Sequence, residues 1–322
     1  MKIVLTVLAA AFLTGTAAGQ EKTAPPVSTL KVTTQVVNVY AVVRDKHGRL
    51  IPDLTRDDFE LTEDGIPQQI KYFSRETDTP LTIGMMVDTS PSQEGVLGEE
   101  QREADAFLRQ VMQPKDLAFA LHFDVVVELL QDFTSDVPTL VRAIDSTVIN
   151  GGGQAGVLPG PLPTAPAGGT HLYDAIYLAS KQLMADQVGR KVLILLTDGE
   201  DQGSQETLDQ ALAAAQKADV IIYSIDILDR RFYTLAGMGY QGGSVLERLS
   251  RETGGRMIRV NKIKNTQAAF QEIANELRTQ YLLGYTPSDP NAGPGFRRIR
   301  VRVREHGYKV QAREGYYPPS SP

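Results

Sequence analysis

An alternation between residues 81 and 280 constrains this chain more than any other feature. Apolar strand-like runs (TIGMMVD, LAFALHFD, KVLILLTD, ADVIIYSID, GRMIRV) are separated by segments of helical period such as READAFLRQVM, LYDAIYLASKQL, LDQALAAAQK and QAAFQEIANELR. Strands joined through helices pair in parallel, because the crossover returns the chain to the same end of the sheet. The strands at 192–198 and 220–226 contain unbroken apolar runs, as strands do when helices cover both faces. The piece VVVELLQDF follows LAFALHFD too closely for a crossover helix, which predicts one antiparallel edge strand. The expectation is an α/β fold with a doubly wound, Rossmann-like sheet.

Both flanks change character. Before residue 81, VTTQVVNVYAVV, FELTED and QIKYFSRE are separated by turn signals at Asp45–Gly48 and Asp64–Pro67; after residue 280 come YLLGYTP, FRRIRVRVRE and YKVQAREGYY. Neither β segment alone offers the three or more strands and covered face that independent stability requires. Pairing the two into one small β-sandwich satisfies both, and makes the α/β domain an insertion. The boundaries expected are a signal peptide at 1–19, a flexible lead-in at 20–29, the N-terminal half of the sandwich at 30–78, the α/β domain at 81–279, the C-terminal half of the sandwich at 280–317 and a tail at 318–322.

Lys2, the run IVLTVLAAAFL and the small residues TGTAAGQ have the build of a secretory signal peptide, cleaved near Gly19 and Gln20. The run is shorter than the roughly 20 residues a spanning helix needs, and nothing later is long and apolar enough to span. No cysteine occurs in the 322 residues, so neither a disulfide framework nor a lipoprotein anchor is available. The expected location is therefore secreted, periplasmic or cell-surface, with no transmembrane anchor after cleavage. A net charge of −6 argues against nucleic acid as a partner, since phosphate binding needs a concentrated basic surface.

Ligands of open parallel sheets bind beyond the carboxyl ends of the strands. Three polar clusters fall there: Asp88, Ser90 and Ser92 in DTSPS, Thr170 in GGTHLYDAI, and Thr197 and Asp198 in LILLTDGED. Taken alone, Ser90 and Ser92 read as helix caps. Thr197, Glu200 and Asp201 read as turn and N-cap residues, and His171 as part of a helix start. The four histidines, His122 among them, show no metal spacing. Arg298, Arg300, Arg302 and Arg304 alternate with apolar residues and should share one solvated strand face.

On these motifs the stretch from about Thr82 to Arg278 resembles a von Willebrand factor type A domain. That family's metal-ion-dependent adhesion site uses a D-x-S-x-S loop, a separate threonine and a separate aspartate, matched here by Asp88-Thr89-Ser90-Pro91-Ser92, Thr170 and Asp198. The resemblance implies one divalent cation, Mg2+ or Mn2+, held by Asp88, Ser90, Ser92, Thr170 and Asp198, with a protein partner supplying an Asp or Glu. Hard oxygens suit such a cation, and neutral hydroxyls leave it under-neutralised and open to an acidic group. Pro91 stands where glycine is frequent and Gln93 where an apolar residue is common; a Gly/Pro-rich loop at 151–169 precedes Thr170. Both flanks, VVRDKHGRLIPDLTRDDFELTEDGIPQQI before the domain and QYLLGYTP, FRRIRVRV and AREGYY after it, resemble those of exported bacterial proteins related to this family.

Two rival functions compete with this reading. An aspartate after an apolar strand, followed by threonine, resembles a magnesium-dependent phosphatase of the haloacid dehalogenase type; that family expects a second aspartate where Ser90 stands. No nucleophilic serine has a His and acid partner, so no catalytic residues are assigned and binding is preferred to an enzyme. The other rival is an envelope scaffold with a vestigial metal site.

Overall fold

A computed structural model describes residues 36–318 apart from 77–78, 151–168, 229–232, 234–239, 261–264, 290–292 and 294. The signal peptide, the lead-in and nearly all of the Gly/Pro-rich loop lie outside the described residues. The chain opens with β1 (Val37–Arg44), β2 (Phe59–Glu63), β3 (Ile66–Gln68) and β4 (Ile70–Glu76). A two-residue turn joins β2 to β3, with Asp64 at φ 48° and Gly65 at φ 85°. Positive φ at both positions gives the turn a twist that matches the strands, and Asp-Gly is the pair that tolerates it. Pro67 lies in β3, an outermost strand, where a missing N–H breaks no ladder.

The α/β domain follows: β5 (Leu81–Asp88), α1 (Leu97–Val111), β6 (Leu117–Phe123), β7 (Val127–Thr134), α2 (Val137–Asp145), α3 (Leu172–Leu178), β8 (Arg190–Thr197), α4 (Leu208–Lys217), β9 (Val220–Ile227), α5 (Gly242–Thr253), β10 (Met257–Val260) and α6 (Thr266–Leu277). Its six-stranded sheet has the order β10-β9-β8-β5-β6-β7, parallel throughout except for β7. The antiparallel edge read from VVVELLQDF is thus β7. Every residue of β5, β8 and β9 is buried. Successive side chains alternate between two cores: Ile83, Met85, Ile194 and Leu196 pack with α1, α2 and α6. Met86, Leu193 and Leu195 pack with α3, α4 and α5 on the other face. Unbroken apolar runs are what two helical layers demand.

The chain ends in β11 (Gln280–Tyr285), β12 (Arg297–Val303), β13 (Lys309–Ala312) and β14 (Gly315–Tyr316). One flanking sheet runs β13-β1-β11-β4 and the other β14-β12-β2-β3, so each mixes strands from both ends of the chain. Val39, Val43, Phe59 and Leu61 share a buried core with Tyr281, Leu283, Ile299 and Tyr316. The protein is a doubly wound α/β domain inserted into a small β-sandwich made by its flanks. Arg298, Arg300, Arg302 and Arg304 are exposed, while Arg297 turns inward onto Glu63.

Both crossings between sandwich and insertion meet at one buried cation. Arg190, 0% exposed, donates to the Leu277 carbonyl at 2.6 Å, to Gln280 Oε1 at 3.0 Å and to the Thr79 carbonyl at 3.2 Å. Neutral oxygens that accept from its two terminal nitrogens offset part of the cost of burying this charge, while its Nε has no partner among the described residues. This fixes the amino end of β8 opposite the edge that carries the polar clusters.

Candidate metal centre

The site is built by loops leaving β5, β6 and β8. Asp88 is the last residue of β5 and is 0% exposed. Its Oδ1 accepts the Ser90 N–H at 2.9 Å, and its Oδ2 accepts the Thr197 hydroxyl at 2.5 Å. Pro91 begins a single 3-10 turn, Pro91–Gln93, that brings Ser90 Oγ to 3.1 Å from Ser92 Oγ. Neither serine caps a helix: α1 begins at Leu97 after Val96, and Ser90 makes no side-chain capping bond. The capping role available to these residues in the sequence is therefore not the one they play.

Asp198 follows β8 and is 1% exposed. Its Oδ2 accepts Gln93 Nε2 at 2.8 Å and the Tyr233 hydroxyl at 2.8 Å, and its Oδ1 accepts the Glu200 N–H at 3.2 Å. Gln93 Nε2 also lies 3.3 Å from Ser92 Oγ, so one buried amide joins the first loop to the second. Thr170 arrives through its backbone. Its N–H donates to the Gln202 carbonyl at 3.0 Å, and the Gln202 N–H returns a bond to the Thr170 carbonyl at 2.8 Å. The His171 N–H donates to the Asp124 carbonyl at 2.7 Å, and Asp124 Oδ2 accepts the Thr89 hydroxyl at 2.8 Å. Thr170 is thereby held beside the loops that carry Asp88 and Asp198, although its hydroxyl bonds to none of the other four residues.

Neighbouring polar residues do other work. Glu200 accepts the N–H groups of Gln241 and Gly242 and so caps α5. Asp201 accepts the Tyr173 N–H at 3.1 Å at the start of α3. Both behave as the cap residues expected. Thr197 does both: its Oγ1 accepts the Gly199 N–H at 3.0 Å, a turn bond, and donates to Asp88. His171 is the N-cap residue of α3, and His122 Nδ1 lies 2.9 Å from Thr89 Oγ1. Sequence reasoning missed Gln93, Thr197 and Tyr233 as partners of the two aspartates, because their bonds span up to 109 residues and leave no local spacing.

Burial, and then the charge of Asp198, push the Asp88 carboxyl up to about 7. Burial also raises Asp198, against hydrogen bonds from Ser92 and Tyr233. Among the described residues no Lys or Arg donates to either carboxylate. Two carboxylates and the linked hydroxyls of Ser90 and Ser92, with Thr170 held beside their loops, offer oxygen donors of the kind hard cations such as Mg2+ or Mn2+ take. Among the described residues no three His, Cys, Asp or Glu side chains gather into a metal-binding group, so hydroxyls would have to complete any shell here. Gln93 Oε1 and both carboxyl oxygens of Glu100 are buried in this neighbourhood without hydrogen-bond partners among the described residues. Buried acids without a cationic partner, and orphaned oxygens beside them, fit a bound cation.

Residues 161–274 match the family model of the von Willebrand factor type A domain. The match includes Thr170 and Asp198, while the loop of Asp88, Ser90 and Ser92 lies ahead of it. Among solved structures, the chain is similar to an aerotolerance-related membrane protein from Bacteroides fragilis, at 16% identity over 61% of this chain and 98% of that one, with a TM-score of 0.46. It is also similar to proximal thread matrix protein 1 from the mussel byssus, solved with a zinc-occupied MIDAS motif, at 14% identity over 67% and 50% of the two chains and a TM-score of 0.49. A third is the von Willebrand factor domain of the type V pilus tip protein Mfa5 from Porphyromonas gingivalis, at 14% identity over 61% and 94%, with a TM-score of 0.41. No curated protein matches the chain. Among the described residues no helix is long and apolar enough to cross a membrane.

Proposed function

We propose that the protein is an exported, metal-dependent binding module that captures an acidic group of a protein partner. The observation that carries this reading is the buried cluster of Asp88, Ser90, Ser92 and Asp198 at the carboxyl edge of the sheet, linked by hydrogen bonds in which no basic side chain takes part. Asp88, Ser90, Ser92, Thr170 and Asp198 would hold one Mg2+ or Mn2+. A divalent cation there supplies an electrophilic position that a Glu or Asp of another protein can fill. Gln93, Thr197 and Tyr233 orient the two aspartates, as partners of metal ligands commonly do.

Binding is favoured over phosphoryl transfer on the geometry of Asp88. One of its oxygens is engaged by the Ser90 amide and the other by the Thr197 hydroxyl, and it is fully buried. That environment suits a fixed ligand better than an attacking nucleophile, and Ser90 occupies the place of the second acid.

An array of surface peptides, each presenting one Glu or Asp beside its amide counterpart, tests the function. Retention should require both Mn2+ and the carboxylate, and Asp88→Ala should lose it while keeping its circular dichroism. Equal retention by the mutant, or in chelator, would contradict metal-dependent capture and leave the scaffold reading.

A further inference from the structure

The first helix presents an acid where its helical phase calls for an apolar residue. The inward stripe of α1 runs Leu97, Glu100, Ala104, Phe107, Leu108 and Val111, and every member is buried. Glu100 is 0% exposed, and both its carboxyl oxygens are buried without a hydrogen-bond partner among the described residues. A buried polar group left unsatisfied costs about 1–3 kcal/mol, more when charged. Among the described residues the Glu100 side chain makes no hydrogen bond that would offset that cost. Burial, and then the charges of Asp88 and Asp198, hold its carboxyl well above the usual range, so a cation joining the site favours its ionisation.

Three acids, each at most 1% exposed, are therefore buried in one region, with Asp88 and Asp198 both acting on Glu100. Burying like charges together is unfavourable unless an opposite charge joins them. Two carboxylates balance a divalent cation, and a third brings the local sum to −1. Asp88, Asp198 and Glu100 do not gather tightly enough to chelate one ion together. Glu100 must then act from beyond the ligand shell, through charge.

We propose that Glu100 is a third carboxylate of the metal centre, lying outside the ligand set, whose charge strengthens the hold of Asp88 and Asp198 on a divalent cation. This rests on the metal-binding reading of the site and assigns to that site a determinant of cation affinity. It also gives the orphaned acid a reason to persist in the core: it is costly in the cation-free protein and favourable in the loaded one.

The test is calorimetric titration of chelator-stripped protein with Mn2+, together with melting curves with and without Mn2+, for wild type, Glu100→Gln and Glu100→Met. Glu100→Gln should weaken Mn2+ binding by about ten- to hundredfold, the range found when groups behind metal ligands are changed. Glu100→Met removes the buried carboxyl at similar volume. It should raise the cation-free melting temperature by about 2–4 °C or more while shrinking the increment that Mn2+ produces. A purely structural role would move neither quantity in this way. If wild type binds Mn2+ and Glu100→Gln binds equally well, the role of Glu100 is overturned and the site stands. If Glu100→Met melts lower without Mn2+ and keeps the full increment, Glu100 is structural and the proposal is likewise overturned. If wild type binds no Mn2+, the site reading fails and the proposal falls with it.

Discussion

At the scale of single residues, the centre is a set of oxygens whose protons and charges are governed by burial. Asp88 has its carboxyl raised from 3.8 to about 7. A carboxyl whose folded value exceeds its unfolded value binds the proton more tightly when folded. Its stabilising contribution is full at low pH and is lost as pH rises through the folded value. The cation-free protein should thus lose stability between roughly pH 4 and 7 in a manner that Asp88→Asn removes. Urea midpoints at pH 5.5 and 7.5 would show it; parallel pH profiles for the two proteins would contradict the environment assigned to Asp88. The D-x-S-x-S loop was legible in sequence because its oxygens recur at fixed spacing within one turn. Gln93, Thr197 and Tyr233 were not, since each reaches an aspartate on another loop. Glu100 was hidden differently. In GEEQREAD several acids fall within two helical turns, and the phase set by Phe107 and Leu108 decides which one faces inward.

At the scale of elements, apolar patterning carried most of the fold. Strands buried on both faces had to be apolar throughout, and the short gap before β7 excluded a crossover helix. Polar residues inside the sandwich were less readable. Glu63 on β2 meets Arg297 on β12 at 3.2 Å, the Tyr285 hydroxyl at 2.5 Å and the Tyr316 hydroxyl at 3.1 Å, all within the buried core. Its alternation with Phe59 and Leu61 places it on the inner face, but the sequence does not reveal the partners waiting there from the other end of the chain. Removing one member of a buried ion pair strands the other. Glu63→Ala should therefore destabilise the protein by roughly 3–5 kcal/mol in urea unfolding, and a loss below about 1 kcal/mol would show that the pair adds nothing to the sandwich.

At the scale of the whole molecule, two ends of the chain close into a frame, and the inserted domain carries its polar loops at the edge away from that frame. Arg190 clamps both crossings at the amino end of β8, and Asp198 lies just beyond the carboxyl end of the same strand. Under the proposed function, that separation would let the centre meet a partner without disturbing the sandwich, from loops that rigid strands fix. Calorimetric titration of the chelator-stripped protein with Mg2+ and Mn2+, beside Asp88→Ala, tests the central claim most directly. The account predicts one divalent-cation site in the wild type and none in Asp88→Ala, with both proteins equally folded. Equal binding by the two, or no binding by the wild type, would contradict it.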